Sequence, residues 1–171
     1  MIHIYSGNGK GKTTAAIGLA VRAAGAGKRV LFCQFLKNGG SSEISVLKEL
    51  NNVTVRYCVE CGKFTFRMND EEKMIVKSAH NKLLNEIREL IRCESVDVVV
   101  MDEIFGAYNA MLINKKEVCS LVNDCPENIE LILTGRSPAP IFRKHADYYS
   151  VIRAVKHPYN HGIKARKGIE Y

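Results

Sequence analysis

The chain has 171 residues, of which 46% are hydrophobic and 25% are charged, a composition typical of one soluble globular domain over residues 1–171. No apolar run approaches the roughly 20 residues of a membrane helix and no export signal is present, which predicts a cytoplasmic protein without a membrane partner. The net charge of +7 permits an anionic partner, although a solvated basic tail is the simpler interpretation.

Short apolar runs alternate with helical segments along the chain. Strands are predicted at residues 1–5, 29–35, 53–57, 96–101, 129–133 and 148–155. Helices are predicted at residues 12–26, 43–50, 70–92 and 115–123. Because the strands are nearly continuous apolar runs, they indicate an α/β fold with a mostly parallel sheet and helices on both faces.

The segment SGNGKGKTT, residues 6–14, joins the first strand to the first helix. Glycines allow the backbone to wrap around a phosphate, and a helix N-terminus adds partial positive charge. Lys12 is expected to reach the phosphates as a catalytic group, and the hydroxyl of Thr13 to ligate Mg²⁺. The residues predicted to bind the triphosphate of ATP are Gly7, Asn8, Gly9, Lys10, Gly11, Lys12, Thr13 and Thr14. Ser6 replaces the first glycine of the strict motif, but the strand–loop–helix context restores much of its specificity.

The fourth predicted strand ends in two acids, Asp102 and Glu103. In phosphate-loop proteins a carboxylate in this place lies beside the metal, so both are predicted to be metal ligands together with Thr13. Arg136 follows the next strand and would lie at the same sheet edge, where it holds phosphate or fixes Asp102. A surface ion pair is the alternative for Arg136. These signals predict a P-loop NTPase-like fold of the RecA type.

Several stretches together resemble one family. They are GNGKGKTT at residues 7–14, QFLK at 34–37, MDEI at 101–104, LTGR at 133–136, Ala146-Asp147, KHPY at 156–159 and GIKARKGIE at 162–170. In this order they are similar to the ATP:corrinoid adenosyltransferases of vitamin B12 synthesis and salvage, from residue 2 to residue 171. The resemblance implies that the 5′-deoxyadenosyl group of ATP moves to Co(I) of a corrinoid, cobalamin or cobinamide, with release of triphosphate. It also implies reversed binding of ATP, Mg²⁺, a homodimer and a reducing flavoprotein as electron donor.

The resemblance extends to the corrinoid side of the site. Family members use an aromatic pair, often Phe-x-Trp, to displace the lower axial ligand of cobalt, and here Phe64 and Phe66 stand in that place in a chain without Trp. The alternative is that both are core residues of a buried loop. Lys156, His157 and Asn160 are expected to face the corrin or the nucleotide base, unless this tail is an edge strand with solvated charges.

Two departures from the family affect the corrinoid side. The acid that family members often carry shortly after Ala146-Asp147 is missing. Met1 begins the first strand, so the N-terminal cover of longer members is expected to be absent. Neither departure touches the predicted ATP site.

Two other function classes are compatible with the phosphate loop. A nucleoside kinase of the thymidine kinase type usually carries two CxxC pairs in a zinc ribbon, whereas Cys58 and Cys61 form a lone pair, best interpreted as two reduced thiols in a loop rather than a metal site. Glu103 would then be the base of the kinase. A nucleic-acid-binding ATPase would need a basic stripe interleaved with aromatics. The basic residues cluster instead at the phosphate loop and the tail, so no nucleic-acid partner is predicted.

Overall fold

The computed structural model describes residues 1–170, which contain a six-stranded sheet. The strands are Ile2–Ser6 (β1), Val30–Gln34 (β2), Val53–Tyr57 (β3), Val98–Asp102 (β4), Glu130–Gly135 (β5) and Tyr148–Val151 (β6). Their order in the sheet is β3-β2-β4-β5-β1-β6, and every neighbouring pair is parallel. The predicted parallel sheet is therefore confirmed, and β5 separates β1 from β4.

Across residues 1–170, six α-helices accompany the strands. They are Lys12–Gly25 (α1), Glu43–Glu49 (α2), Asp70–Arg92 (α3), Ile104–Asn109 (α4), Lys115–Asn123 (α5) and Pro140–His145 (α6), with 3₁₀ turns at Thr65–Arg67 and Pro158–His161. The four predicted helices are confirmed, and Asn69 and Glu72 form the expected capping box of α3. The sequence did not predict α4 and α6, because six residues are too few to establish a helical apolar period. Within residues 1–170, no helix combines the length and the apolar character needed to cross a bilayer.

The sheet has an apolar core on each face. Leu31 and Cys33 of β2 belong to the cluster under α3, α4, α5 and α6, whereas Val30 and Phe32 belong to the cluster under α1 and α2. This alternation follows from the two-residue period of a strand, and both faces are covered as the apolar strands predict. Ala16 of α1 is fully buried, as is Ala20, so that helix lies close against the sheet.

The last strand is shorter than predicted. It ends at Val151, whereas the prediction extended it to residue 155, because residues 152–154 turn along the loop after β1. Asp147 anchors its start: the Asp147 carboxylate accepts from the Ile2 N–H at 2.6 Å, and the Asp147 N–H donates to the Ile2 carbonyl at 2.9 Å. The Ala146-Asp147 motif thus has a structural role in joining β6 to β1.

Candidate functional site

The phosphate-loop segment lies between β1 and α1 and is held in place by the chain after β6. The Gly9 N–H donates to the Ile152 carbonyl at 2.9 Å, and Asn8 Oδ1 accepts from the Ala154 N–H at 3.1 Å. Gly11 takes a φ of 120° immediately before α1 begins, a conformation that favours glycine. The loop backbone is therefore shaped by its neighbours before any ligand binds.

Lys12 points back into the loop. Its side chain is 8% exposed, and Nζ donates to the Gly9 carbonyl at 2.9 Å. Burial lowers the pKa of Lys12, an effect that the negative charge of Glu103 partly offsets. A buried ammonium group with one carbonyl partner is well suited to a polyanionic ligand, because phosphate oxygens would replace the lost hydration.

Asp102, at the end of β4, is fully buried at the centre of a polar network. Its Oδ1 accepts hydrogen bonds from the hydroxyls of Thr13 at 2.8 Å and Thr134 at 2.7 Å. Its Oδ2 forms an ion pair with Lys37 Nζ at 3.1 Å. The expected meeting of Thr13 and Asp102 is thus present, and the cation that contacts Asp102 is Lys37 and not Arg136.

Glu103 follows Asp102 with a φ of 61°, which turns the chain sharply from β4 into α4. Its N–H donates to Thr134 Oγ1 at 2.9 Å, so the end of β5 fixes this turn. Burial raises the pKa of Glu103, and the neighbouring charge of Asp102 raises it further. The positive charges of Lys37, Lys12 and Arg136 act in the opposite direction and lower the pKa of Glu103.

A cavity of about 680 Å³ opens above the start of α1. Ten of the residues predicted to bind ATP or metal line it: Asn8, Gly9, Lys10, Gly11, Lys12, Thr13, Thr14, Glu103, Arg136 and His157. The walls also include Lys37, Ser42, Glu43 and the apolar side chains of Ile17 and Val46, none of which had been assigned a role from the sequence. The volume is within the range of small-molecule sites. Among residues 1–170 the surface ion pair considered for Arg136 is not found.

The remaining predicted residues of the nucleotide and tail group lie elsewhere. Gly7 contacts the backbone of Ile152 and is not among the residues that line the 680 Å³ cavity. Lys156 lines a neighbouring cavity of about 300 Å³, while Asn160 is exposed in the 3₁₀ turn Pro158–His161 and lines neither. The alternative of an edge strand for this tail is wrong, since residues 152–170 contain no strand.

The C-terminal tail folds back over the phosphate-loop segment. Gly168, Ile169 and Glu170 line the 680 Å³ cavity. Glu170 pairs with Lys10 at 3.2 Å and with Arg166, whose hydrogen bonds lower the pKa of Glu170 to about 2. The positive charge of the tail is thus partly neutralised by Glu170 where the tail covers the cavity. The local sequence pattern did not predict that the tail contacts the phosphate-loop segment.

A second cavity, of about 520 Å³, adjoins the first. Phe64 lines it together with Leu36, Cys61 and Arg67, and Lys37 lines both cavities. Lys37 is therefore the boundary between them. Its place in the QFLK stretch at residues 34–37 was the one sequence signal that could have identified it.

The aromatic pair is exposed, with Phe64 on the wall of the second cavity and Phe66 outside the residues that line it. Phe64 is 70% exposed and Phe66 is 79% exposed, and their rings stack at a centroid distance of 5.5 Å. The alternative that these are core residues is wrong. Both rings are therefore accessible to an apolar ligand beside the second cavity, which Phe64 lines.

The sequence profile of the family described as ATP:corrinoid adenosyltransferase BtuR/CobO/CobP matches residues 1–171. The chain is 33% identical over 171 residues to the corrinoid adenosyltransferase of Escherichia coli (strain K12) and to that of Salmonella typhimurium (strain LT2), covering 100% of this chain and 85% of each relative. Among solved structures, a KaiC-like protein from Pyrococcus horikoshii OT3 superposes with a TM-score of 0.55 at 14% identity, over 89% of this chain and 70% of that one. The latter likeness shows the fold alone.

Proposed function

The chain belongs to the ATP:corrinoid adenosyltransferase family, and we propose how its residues carry out the transfer of a 5′-deoxyadenosyl group from ATP to Co(I) of a corrinoid in cobalamin synthesis. The observation that carries the proposal is the pair of adjoining cavities that share Lys37. The cavity at the phosphate-loop segment would hold the triphosphate and the cavity beside Phe64 the corrinoid. Residues 1–171 would act as one domain.

The chain's own part in the reaction is electrostatic. The electron pair of Co(I) forms the cobalt–carbon bond, and the pair of the broken C5′–O bond leaves with the triphosphate, so no protein nucleophile is needed. Lys12 and the amides at the start of α1 would hold the triphosphate and stabilise its growing charge. Arg136, on the wall of the same cavity, would add a second cation.

The donor set at the end of β4 fits Mg²⁺. The Thr13 hydroxyl and the carboxylates of Asp102 and Glu103 are oxygen ligands, which this ion prefers. Thr13 Oγ1 and Asp102 Oδ1 already lie 2.8 Å apart, close enough to face one ion. Bound there, the ion would supply positive charge to the leaving phosphate oxygens.

The aromatic pair would act on the corrinoid. In this proposal Phe64 and Phe66 place apolar rings against the lower face of the corrin ring and keep the axial position of cobalt empty. Lys156, His157 and Asn160 would contribute to binding at the tail side. We further propose a cytoplasmic homodimer that receives electrons from a flavoprotein, because the resemblance to the family implies both.

Phe66→Ala should reduce kcat/KM for the corrinoid by roughly 10- to 150-fold, because about 1.5–3 kcal/mol of buried aromatic contact with the corrinoid would be lost. The KM for ATP should stay within about twofold, because Phe66 lies outside the residues that line the 680 Å³ cavity. Steady-state kinetics with each substrate varied in turn would measure both. Phe64→Ala should behave in the same way.

Met74→Ala is the matched control for these variants, since Met74 is 73% exposed on α3 and lines neither cavity. The free energy of unfolding of all three variants should lie within about 0.5 kcal/mol of that of the parent, as is usual for substitutions at exposed positions. Equal losses in corrinoid and ATP parameters for Phe66→Ala would remove its assigned role.

Product analysis tests the function itself. Under anaerobic conditions, chemically reduced cobalamin with Mg-ATP should give a light-sensitive adenosyl product and one triphosphate per adenosyl group. Release of ADP and phosphate instead would point to a kinase or ATPase on the same fold. Absence of any cobalt–carbon bond with active E. coli enzyme as the positive control would refute the proposal.

A further inference from the structure

The structure joins two cysteines and a histidine that are far apart in sequence. Cys58, Cys61 and His80 are all buried, and their ligand atoms all lie within 4.8 Å of one another. The first two follow β3 and the third lies in the middle of α3. The lone CxxC thus acquires a third partner that a search by spacing alone does not find.

The distances suit a single metal ion. Zn–S bonds of about 2.3 Å and Zn–N bonds of about 2.0–2.1 Å in a tetrahedron place ligand atoms roughly 3.5–3.8 Å apart. Cys61 Sγ and His80 Nε2 are already 3.4 Å apart, and the longest separation in the group is at most 4.8 Å. Small side-chain rotations would close the remaining gap. The turn is fixed as well, since the Cys61 N–H donates to the Cys58 carbonyl at 3.1 Å.

The histidine is oriented as a metal ligand would be. His80 Nδ1 lies 2.9 Å from the Leu112 carbonyl, an acceptor, so Nδ1 carries the proton and Nε2 presents its lone pair. A backbone carbonyl that holds the second ring nitrogen in this way is the usual support for a metal-binding histidine. Nε2 now accepts a long hydrogen bond from the Leu36 N–H, at 3.3 Å.

A fourth ligand is within reach. Glu60 Oε2 lies 3.4 Å from Cys58 Sγ, although Glu60 is exposed and lies outside the group formed by Cys58, Cys61 and His80, so its side chain would rotate towards the ion. Thiolate and imidazole ligands together with one carboxylate favour Zn²⁺ over the hard ions Mg²⁺ and Ca²⁺. We propose that Cys58, Cys61 and His80 form a Zn²⁺ site completed by Glu60, in which each thiol releases its proton on binding.

The proposed Zn²⁺ site lies partly in the loop that carries Phe64 and Phe66. Residues 58–68 carry the aromatic pair, and they are held to the rest of the protein by a small apolar cluster that includes Met68, Val76 and Leu112. An ion that joins Cys58 and Cys61 to α3 would pin this loop and the rim of the second cavity. That consequence for corrinoid binding rests on the proposed function, whereas metal binding does not.

The test uses the full chain, purified under reducing conditions and freed of metal, with added Zn²⁺ alone. We expect one equivalent of Zn²⁺ per chain in a competition assay with a chromogenic chelator. Co²⁺ in its place should give thiolate charge-transfer absorption and the intense visible bands of tetrahedral coordination. Cys58→Ser and Cys61→Ser should each lower the affinity for Zn²⁺ by more than about 100-fold. This is more than the loss expected for a residue that only hydrogen-bonds to a metal ligand. Cys93→Ser, at an exposed cysteine, is the matched control and should bind as the parent does.

Trypsin provides a second readout that does not depend on enzyme activity. Lys63 and Arg67 are exposed in the loop, and cleavage after them should slow when Zn²⁺ is bound. Cleavage after Arg153 and Lys156, at exposed positions in the tail, should not change. Stoichiometric Zn²⁺ binding lost in both serine variants, with loop protection, supports the proposal even if adenosyl transfer fails. No binding, or binding unchanged in both variants, would overturn it.

Discussion

Lys12→Ala is expected to lower kcat for adenosyl transfer by about 10³-fold or more, the scale of losing a cation that stabilises a phosphate leaving group. Lys12 is the buried cation of the phosphate-loop segment, and its Nζ donates to the Gly9 carbonyl. The variant should fold normally. Because burial lowers the pKa of Lys12, its charge is unfavourable in the folded protein and its removal costs little. Anaerobic single-turnover measurements, with unfolding curves beside them, would separate the two effects.

Lys10→Ala is the comparison two residues away, at a predicted phosphate-binding lysine that is exposed rather than buried. Lys10 is exposed and pairs with Glu170 at 3.2 Å, a contact worth at most about 1 kcal/mol, so its loss should reduce kcat less than about tenfold. A Lys12→Ala enzyme that retains activity within tenfold of the parent would show that the triphosphate is held elsewhere. If both variants lost activity equally, the overall positive charge of the cavity would account for the data better than a specific role of Lys12.

Much of the fold could be predicted because its central strands, β2, β4 and β5, are buried on both faces. Runs such as residues 96–101 are typical of strands buried in a parallel sheet, and their alternation with helices predicted the layered architecture. Strand ends were less certain, and β6 stops four residues before the predicted end at residue 155. Helix α4 begins after a left-handed residue, Glu103, whose side chain makes no capping hydrogen bond. Nothing in the local sequence marks such a start.

The site could be predicted only where chain topology determined it. Thr13 and Asp102 meet because β1 and β4 end at the same edge of a parallel sheet, which their sequence context implied. The ion pair of Lys37 with Asp102 could not be foreseen, because it depends on the left-handed turn at Leu36, with a φ of 58°. His80 reaches the cysteine pair only through the packing of α3 under the loop after β3. Contacts of this kind belong to tertiary structure and leave no local pattern.

Gly7→Ala should destabilise the protein by roughly 2–6 kcal/mol, combining the strain of a left-handed residue with overpacking. Gly7 has a φ of 110°, and a Cβ there would lie 2.2 Å from the Ile152 carbonyl oxygen. That oxygen belongs to the backbone and also accepts the Gly9 N–H, so it cannot move aside without disturbing the phosphate-loop segment. Chemical denaturation would measure the loss. Adenosyl transfer by the folded fraction should fall as well.

Gly18→Ala is the control that separates this strain from glycine replacement in general. Gly18 is exposed within α1, and no heavy atom beyond its own helix lies within 4 Å of an added Cβ. Alanine there should stabilise the protein by about 0.5–1 kcal/mol, because glycine is a poor helix residue. The two substitutions should therefore shift the free energy of unfolding in opposite directions. If Gly7→Ala were as stable as Gly18→Ala, the close approach of residues 152–154 to the loop would be wrong, and with it the account of how this chain shapes its phosphate-binding backbone.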